Sequence, residues 1–213
     1  MTSFVIAIDG PAASGKGTIA KRLADDYGLP CLDTGLLYRA VGVTLLKQGR
    51  ELSDAAAAAQ AARALDLADL ASPDLRGGEA GEAASRVAAI PEVRAALLQL
   101  QREFAALKTG AVLDGRDIGT VIAPSAQAKL FVTARPEVRA DRRWRQLAAQ
   151  GEAIAYEAVL EDIRRRDARD SGRDAAPLVQ APDAVLLDTS DLDISQATDA
   201  ARRIVEAARA RQG

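Results

Sequence analysis

The sequence predicts an α/β fold: a five-stranded parallel sheet flanked by helices. Three observations lead there. Short apolar runs recur at 4–8, 30–32, 111–113, 129–132 and 184–187, and strands buried on both faces read as such unbroken runs. The stretches between them carry helical apolar spacing, and this alternation is the mark of a parallel sheet. Three runs are followed at once by polar, Gly-bearing segments: Asp9-Gly10, Asp33-Thr34-Gly35 and Asp114-Gly-Arg-Asp117. Ligands in open parallel sheets bind beyond the carboxyl ends of the strands.

Taken in order, the run 4–8 feeds a Gly-rich turn. The residues Thr18 to Tyr27 then place Ile19, Ala20, Leu23 and Ala24 on one helical face. A short buried strand at 30–32 holds the single cysteine, Cys31, as a small hydrophobe. Thr34 is expected to cap the next helix. The Ala-rich run 55–62 is a good helix former, whereas Ser-Pro-Asp-Leu-Arg-Gly-Gly-Glu-Ala-Gly-Glu over 72–82 has the composition of a loop. Pro91 suits the first turn of a helix. After the fourth run, Arg142, Arg143 and Arg145 are expected on the solvent face of a helix. Trp144 is expected to pack at the base of the charge-dense stretch 150–177. No internal repeat is present.

The first turn carries the strongest chemistry. In Gly10-Pro-Ala-Ala-Ser-Gly-Lys-Gly-Thr18 a strand passes through three glycines into a helix N-terminus. Unpaired backbone N–H groups and the helix dipole there favour a phosphate. Gly10, Gly15 and Gly17 let the backbone curl around it, with Ala13 and Ser14 completing the loop. Lys16 would reach the outer phosphates and the Thr18 hydroxyl would ligate Mg²⁺. The general pattern places Ser or Thr directly after the Lys; here Gly17 stands there and the hydroxyl comes one residue later.

The other strand ends supply partners. Asp114 is the candidate carboxylate for Mg²⁺, directly or through water, with Arg116 and Asp117 facing an acceptor. No Glu follows Asp114 to activate water, and no Asn-Lys-x-Asp stands in the chain. This argues for transfer to an acceptor that is already a nucleophile rather than for hydrolysis. In Asp33-Thr-Gly-Leu-Leu-Tyr-Arg39, Arg39 lies about a turn into its helix, either meeting a second phosphate or standing on the surface. Ser85 and Arg94 read alone as solvated surface. Arg164-Arg-Arg-Asp-Ala-Arg-Asp-Ser-Gly-Arg173 reads either as a salt-bridged surface helix, since Asp162, Asp167 and Asp170 interleave, or as a lid closing over transferring phosphates.

Composition narrows the classes. The 213 residues suit one α/β domain with small inserts. The chain has no His, so Ser-His-Asp chemistry and His-ligated metals are excluded, and one Cys permits no internal disulfide. Net charge is −2 and aromatics are 3%, a poor match for nucleic-acid or anionic-membrane binding. The cations are 23 Arg against five Lys, and arginine grips phosphate with a planar fork. No signal peptide or membrane-length apolar run is apparent, so a cytoplasmic protein is expected.

Together these segments resemble the bacterial cytidylate kinases (CMP/dCMP kinases), of the nucleoside monophosphate kinase family of P-loop kinases. The resemblance covers nearly the whole chain. It rests on Ile8-Asp-Gly-Pro, Gly15-Lys-Gly-Thr18, Asp33-Thr-Gly-Leu-Leu-Tyr-Arg39, Ala84-Ser-Arg-Val-Ala88, Pro91-Glu-Val-Arg94, Asp114-Gly-Arg-Asp-Ile-Gly-Thr120, Arg166-Asp-Ala-Arg-Asp170 and Ala176-Pro-Leu178. The block from Asp114 to Thr120 is the most specific; adenylate kinases carry Asp-Gly-Phe-Pro-Arg at the equivalent strand end.

The resemblance implies the P-loop nucleoside monophosphate kinase fold. Its core would be 1–53, 96–149 and 176–213, with a short acceptor-binding insert at about 54–95 and a lid at about 150–175. It implies phosphoryl transfer from ATP, with Mg²⁺, to CMP or dCMP. Gly10, Ala13, Ser14, Gly15, Lys16, Gly17 and Thr18 would hold the ATP phosphates. Thr34, Arg39, Ser85, Arg94, Arg116, Asp117, Asp170 and Arg173 would bind CMP. Among these, Ser85, Arg94 and Asp117 would read the base, Arg39, Arg116 and Arg173 the phosphate, and Asp170 the sugar hydroxyls. Lys16, Arg116, Arg166 and Arg173 would be catalytic. The substrates are small molecules, with no nucleic-acid or membrane partner, and the chain is expected to act as a monomer. Many family members carry a longer strand-forming insert between Leu65-Asp-Leu67 and Ser85; here it is a short Gly- and Ala-rich segment. The alternatives are a kinase of another acceptor, UMP or AMP, on the same fold, or a non-catalytic nucleotide-binding regulator.

Overall fold

A computed structural model describes residues 3–211; the outermost residues of the expected core, 1–2 and 212–213, lie outside them. The chain forms two compact units, Met1–Leu32 with Arg102–Gly213, and Asp33–Gln101. The expected insert falls within the second unit and the expected lid within the first.

The first unit holds the sheet. Its strands are β1 (Val5–Asp9), β2 (Cys31–Asp33, whose last residue begins the second unit), β3 (Ala111–Gly115), β4 (Ala128–Thr133) and β5 (Val185–Asp188), in the order β2-β3-β1-β4-β5. β1 pairs in parallel with β3 (Ile6 opposite Val112, Asp9 opposite Gly115) and with β4 (Ile6 opposite Ala128), and β4 pairs in parallel with β5. β1 is central, and all five of its residues are buried. The chain leaves β1 for β2 on one side and later builds β4 and β5 on the other, so β1 stands at the topological switch point.

The helices of this unit are α1 (Lys16–Tyr27), α6 (Pro136–Ala149), α7 (Tyr156–Gly172) and α8 (Ile194–Ala210). Ile19 and Leu23 of α1 and Ala201 and Val205 of α8 pack on Ile6, Ile8, Val112, Leu130 and Val132 of the sheet. A second cluster joins Ala12, after β1, to Ala140 and Leu147 of α6 and Val159 and Ile163 of α7. β5 closes the edge with Val185 and Leu186 exposed.

The second unit is helical: α2 (Thr34–Lys47), α3 (Ala55–Arg63), α4 (Gly78–Val87) and most of α5 (Pro91–Ala105). A Cβ on Gly42 of α2 would lie 2.7 Å from Ala83 Cβ on α4, so these two helices approach as closely as only glycine permits. The expected loop at 72–82 is corrected: the segment is a one-turn 3₁₀ helix at Pro73–Leu75 followed, after Gly77, by the first turn of α4, in which Ala80 and Gly81 are buried.

Two further expectations change. Asp33, not Thr34, caps α2: its extended backbone lets the carboxylate accept from Gly35 N at 2.9 Å, and Thr34 is the first helical residue. Of the three arginines expected on the solvent face of α6, only Arg145 is exposed. Arg143 is half-buried. Arg142 turns inward to donate to Thr189 Oγ1 (3.0 Å) and Thr189 O (2.6 Å) beyond β5, where carbonyls at a loop corner lack ladder partners. Trp144 does sit against the segment entering α7, its indole N–H donating to Ile154 O at 3.0 Å.

Candidate active site

The loop after β1 can be built from its backbone. Gly10 has φ +155°, and a Cβ there would lie 2.0 Å from Val132 O of β4, so the chain passes the neighbouring strand at a distance no side chain allows. Ala13 takes a left-handed φ of +59°, unusual for a residue with a side chain. Gly15, φ +91°, forms the N-cap of α1 and provides no side chain to occupy the helix end. Its carbonyl accepts from Thr18 N and Ile19 N, both at 3.1 Å. Lys16 is the first residue of α1, and Thr18 is exposed on its first turn. Ser14 is fully buried, and its Oγ has no hydrogen-bond partner among the described residues. A buried hydroxyl in such a loop suits a phosphate oxygen.

Gly17 explains the displaced hydroxyl. A Cβ there would stand 3.1 Å from Asp114 Oδ2. A side chain at 17 would crowd the carboxylate that ends β3, whereas glycine brings Asp114 against the first turn of α1. Asp114 is 1% exposed. The two expected Mg²⁺ residues, Thr18 and Asp114, therefore flank the same helix end, and both offer the hard oxygen donors that this ion takes. Among the described residues no group of three or more His, Cys, Asp or Glu could hold a metal. A hydroxyl and a carboxylate at one helix end are donors of the kind such an ion takes beside phosphate and water oxygens.

Asp9 ends β1. It is buried and accepts from Ile118 N (2.7 Å) and Gly119 N (2.8 Å), at the start of the π-helical turn Ile118–Ile122. Burial pushes its carboxyl up to about 6; the two N–H bonds and Arg116 oppose this, and Asp117 adds to it. Asp9 thus pins the loop carrying Arg116 and Asp117, and Asp117 is itself buried.

Arg116 donates through Nε to Asp170 Oδ2 at 2.9 Å and through Nη1 to Gly115 O at 3.2 Å. Asp170, near the end of α7, is pushed up by burial, but Arg116, Arg173 and Arg166 outweigh this and hold it below the usual carboxylate range. Arg166 is lowered from the ordinary arginine value, first by burial and then by the neighbouring Arg116 charge. It also pairs with Asp162, at 3.7 Å. Arg173 donates to Ala176 O at 2.7 Å. The expected catalytic arginines of this unit therefore surround one carboxylate, a partly desolvated cationic cluster suited to phosphate oxygens.

The second unit carries the remaining expected residues. Thr34 is buried at the start of α2. Arg39 Nη1 donates to Leu75 O at 2.7 Å and Gly77 O at 3.4 Å, so the short insert holds this guanidinium by its backbone. Arg94 stacks over the Tyr38 ring at 5.7 Å from the centroid and donates to Ala88 O at 3.5 Å. Ser85 is buried in α4.

Sequence reasoning missed Arg139. It is 3% exposed, at the start of α6, and bonds Ala12 O of the loop as well as Asp167 of α7. Its one local signal is its place beside Ala140, on the side of α6 that also buries Leu147. Thr189 was also missed; its Oγ1 donates to Ser14 O at 3.0 Å.

A parallel sheet switching at β1, with a glycine loop curled onto α1 and a carboxylate at the end of β3, defines a P-loop phosphotransferase. The likeness to solved structures agrees on the fold. An uncharacterized protein from Eubacterium ventriosum superposes with TM-score 0.56 at 15% identity, over 97% of this chain and 99% of that one. A gluconokinase from Sinorhizobium meliloti gives 0.50 at 14%, over 99% and 98%. The chain belongs to the cytidylate kinase family, whose model matches residues 6–207. It is 67% identical over 208 residues to the cytidylate kinase of Caulobacter vibrioides, covering 98% of both chains. It is 70% identical over 207 residues to that of Xanthobacter autotrophicus, covering 97% of this chain and 99% of the other.

Proposed function

We propose that this protein transfers the γ-phosphoryl group of ATP to CMP or dCMP, giving CDP or dCDP and ADP. The observation that carries the reading is its kinship with cytidylate kinases over nearly its full length. The loop and the arginine cluster supply the physical means.

The backbone from Gly10 to Thr18, the N-terminus of α1 and Ser14 Oγ cradle the ATP phosphates, and Lys16 meets their outer oxygens. Thr18 and Asp114, the latter directly or through water, would hold Mg²⁺, which when bound would neutralise charge on the phosphates. Arg39, Arg116 and Arg173 hold the phosphate of CMP. Ser85, Arg94 and Asp117 hydrogen-bond the cytosine edge, Asp170 meets the sugar hydroxyls, and Thr34 completes the contacts. The acceptor is a phosphate dianion, already nucleophilic at neutral pH, so no general base is needed. Arg166, Arg116, Arg173 and Lys16 spread the charge of the migrating group. α7, with the segment around it at about 150–175, works as a lid that excludes competing water. The same reading has the protein acting as a monomer in the cytoplasm on small molecules, without nucleic acid or membrane. Among the described residues no helix is long and apolar enough to cross a membrane.

The test is CMP-dependent release of ADP by the wild type and by Lys16→Met. The variant should stay folded and lose about 10³-fold in turnover, on the scale of lost electrostatic stabilisation. Near-normal turnover in Lys16→Met would sink the assignment.

A further inference from the structure

Arg139 links three parts of the first unit through one guanidinium. Nε donates to Ala134 O (2.8 Å), at the corner between β4 and α6. Nη1 donates to Ala12 O (3.2 Å), in the phosphate loop, and to Asp167 Oδ1 (2.9 Å). Nη2 donates to Asp167 Oδ2 (2.6 Å). The Arg139 side chain is 4% exposed and that of Asp167 28%. The apolar cluster of Ala12, Ala140, Leu147, Val159 and Ile163 belongs to the same elements. An ion pair this buried is a weak source of stability, because desolvating both charges offsets most of their attraction. Its geometry is nonetheless fully used: the planar fork meets both carboxylate oxygens and a loop carbonyl at once.

Asp167 directly follows Arg166 and stands one turn before Asp170. The residue gripped by Arg139 therefore sits within the turn that presents the phosphate-facing groups of α7. We propose that the Arg139–Asp167 pair is a positioning strut that sets α7 at the distance from the phosphate loop needed for transfer. Neither residue touches substrate; each acts through others, Arg139 through Ala12 and Asp167 through Arg166 and Asp170. The inference rests on the reading above, that α7 acts on the transferring phosphates.

The test compares Arg139→Met, Asp167→Asn and the double variant Arg139→Met/Asp167→Leu. Each single variant leaves one charge without its partner and is expected to melt lower. The double variant removes both charges together and is expected to recover most of the lost stability. Recovered folding should not recover turnover. At saturating ATP and CMP the double variant should show kcat about tenfold to about 100-fold below wild type, the cost of a misplaced catalytic element. KM for both substrates should stay within about threefold, since the groups that bind them remain. Acceptor-free ATP hydrolysis should rise relative to transfer, because a misplaced α7 admits water. A double variant that regains both stability and kcat would make the pair merely structural and overturn the proposal, as would an unchanged ratio of hydrolysis to transfer. Should the wild type turn over another acceptor in place of CMP, the substrate reading fails, and the same comparison with that acceptor decides the strut alone.

Discussion

The buried carboxylate of Asp9 ties the stability of the site to pH. It ends the central strand, holds Ile118 N and Gly119 N, and is pushed up to about 6 from an ordinary value of 3.8. A tenfold change in proton affinity is about 1.4 kcal/mol, so binding this proton some hundredfold more tightly in the folded chain is worth about 3 kcal/mol over the whole window. The folded value is the raised one. The contribution is therefore fully present below about 4 and lost as pH rises through about 6. Between pH 5 and pH 8 the loss is about 1.4 kcal/mol. Asp9→Asn has no such titration. It replaces one of the two acceptors by an amide N–H₂ and should cost about 1–3 kcal/mol at every pH. Urea unfolding of both proteins at pH 5 and pH 8 isolates the effect, because all other titrating groups are common to the two. The wild type should lose about 1.4 kcal/mol relative to Asp9→Asn on going from pH 5 to pH 8. A difference that stays constant with pH, or a wild type that gains, would refute the claim that burial outweighs the two backbone N–H bonds.

Other consequences are as direct. Gly10→Ala should destabilise by about 3 kcal/mol, because its Cβ would fall 2.0 Å from Val132 O in a backbone conformation alanine disfavours; thermal denaturation measures it. Gly17→Ser puts a Cβ 3.1 Å from Asp114 Oδ2 and should raise the Mg²⁺ concentration needed for half-maximal turnover while changing the melting temperature little, which a Mg²⁺ titration checks. Arg94→Met and Asp117→Ala should chiefly raise the CMP concentration required and blur CMP from UMP; unchanged selectivity removes them from base reading.

Much of this was legible in the chain for identifiable reasons. β1 and β3 are buried on both faces, so each reads as an apolar run; what the runs understate is the strand end, where pairing continues through Asp9 opposite Gly115. The phosphate loop is legible because all its chemistry is local, from Gly10 to Thr18. Arg139 is not, because nothing near it in sequence shows that Ala12 O, 127 residues earlier, and the Asp167 carboxylate converge on it. Arg142 is hidden in the same way by its bonds to Thr189. The glycines at 77–81 read as a loop, because composition does not reveal that Ala80 and Gly81 are buried in the first turn of α4.

The most direct test of the account is ADP release from ATP and Mg²⁺ with CMP, dCMP, UMP and AMP offered separately. The account predicts strong turnover with CMP and dCMP, weak turnover with UMP and none with AMP. Turnover that favours AMP or UMP over CMP would contradict the assignment of Ser85, Arg94 and Asp117 to the cytosine edge, and ATP binding without turnover of any acceptor would contradict the reading of the protein as a kinase.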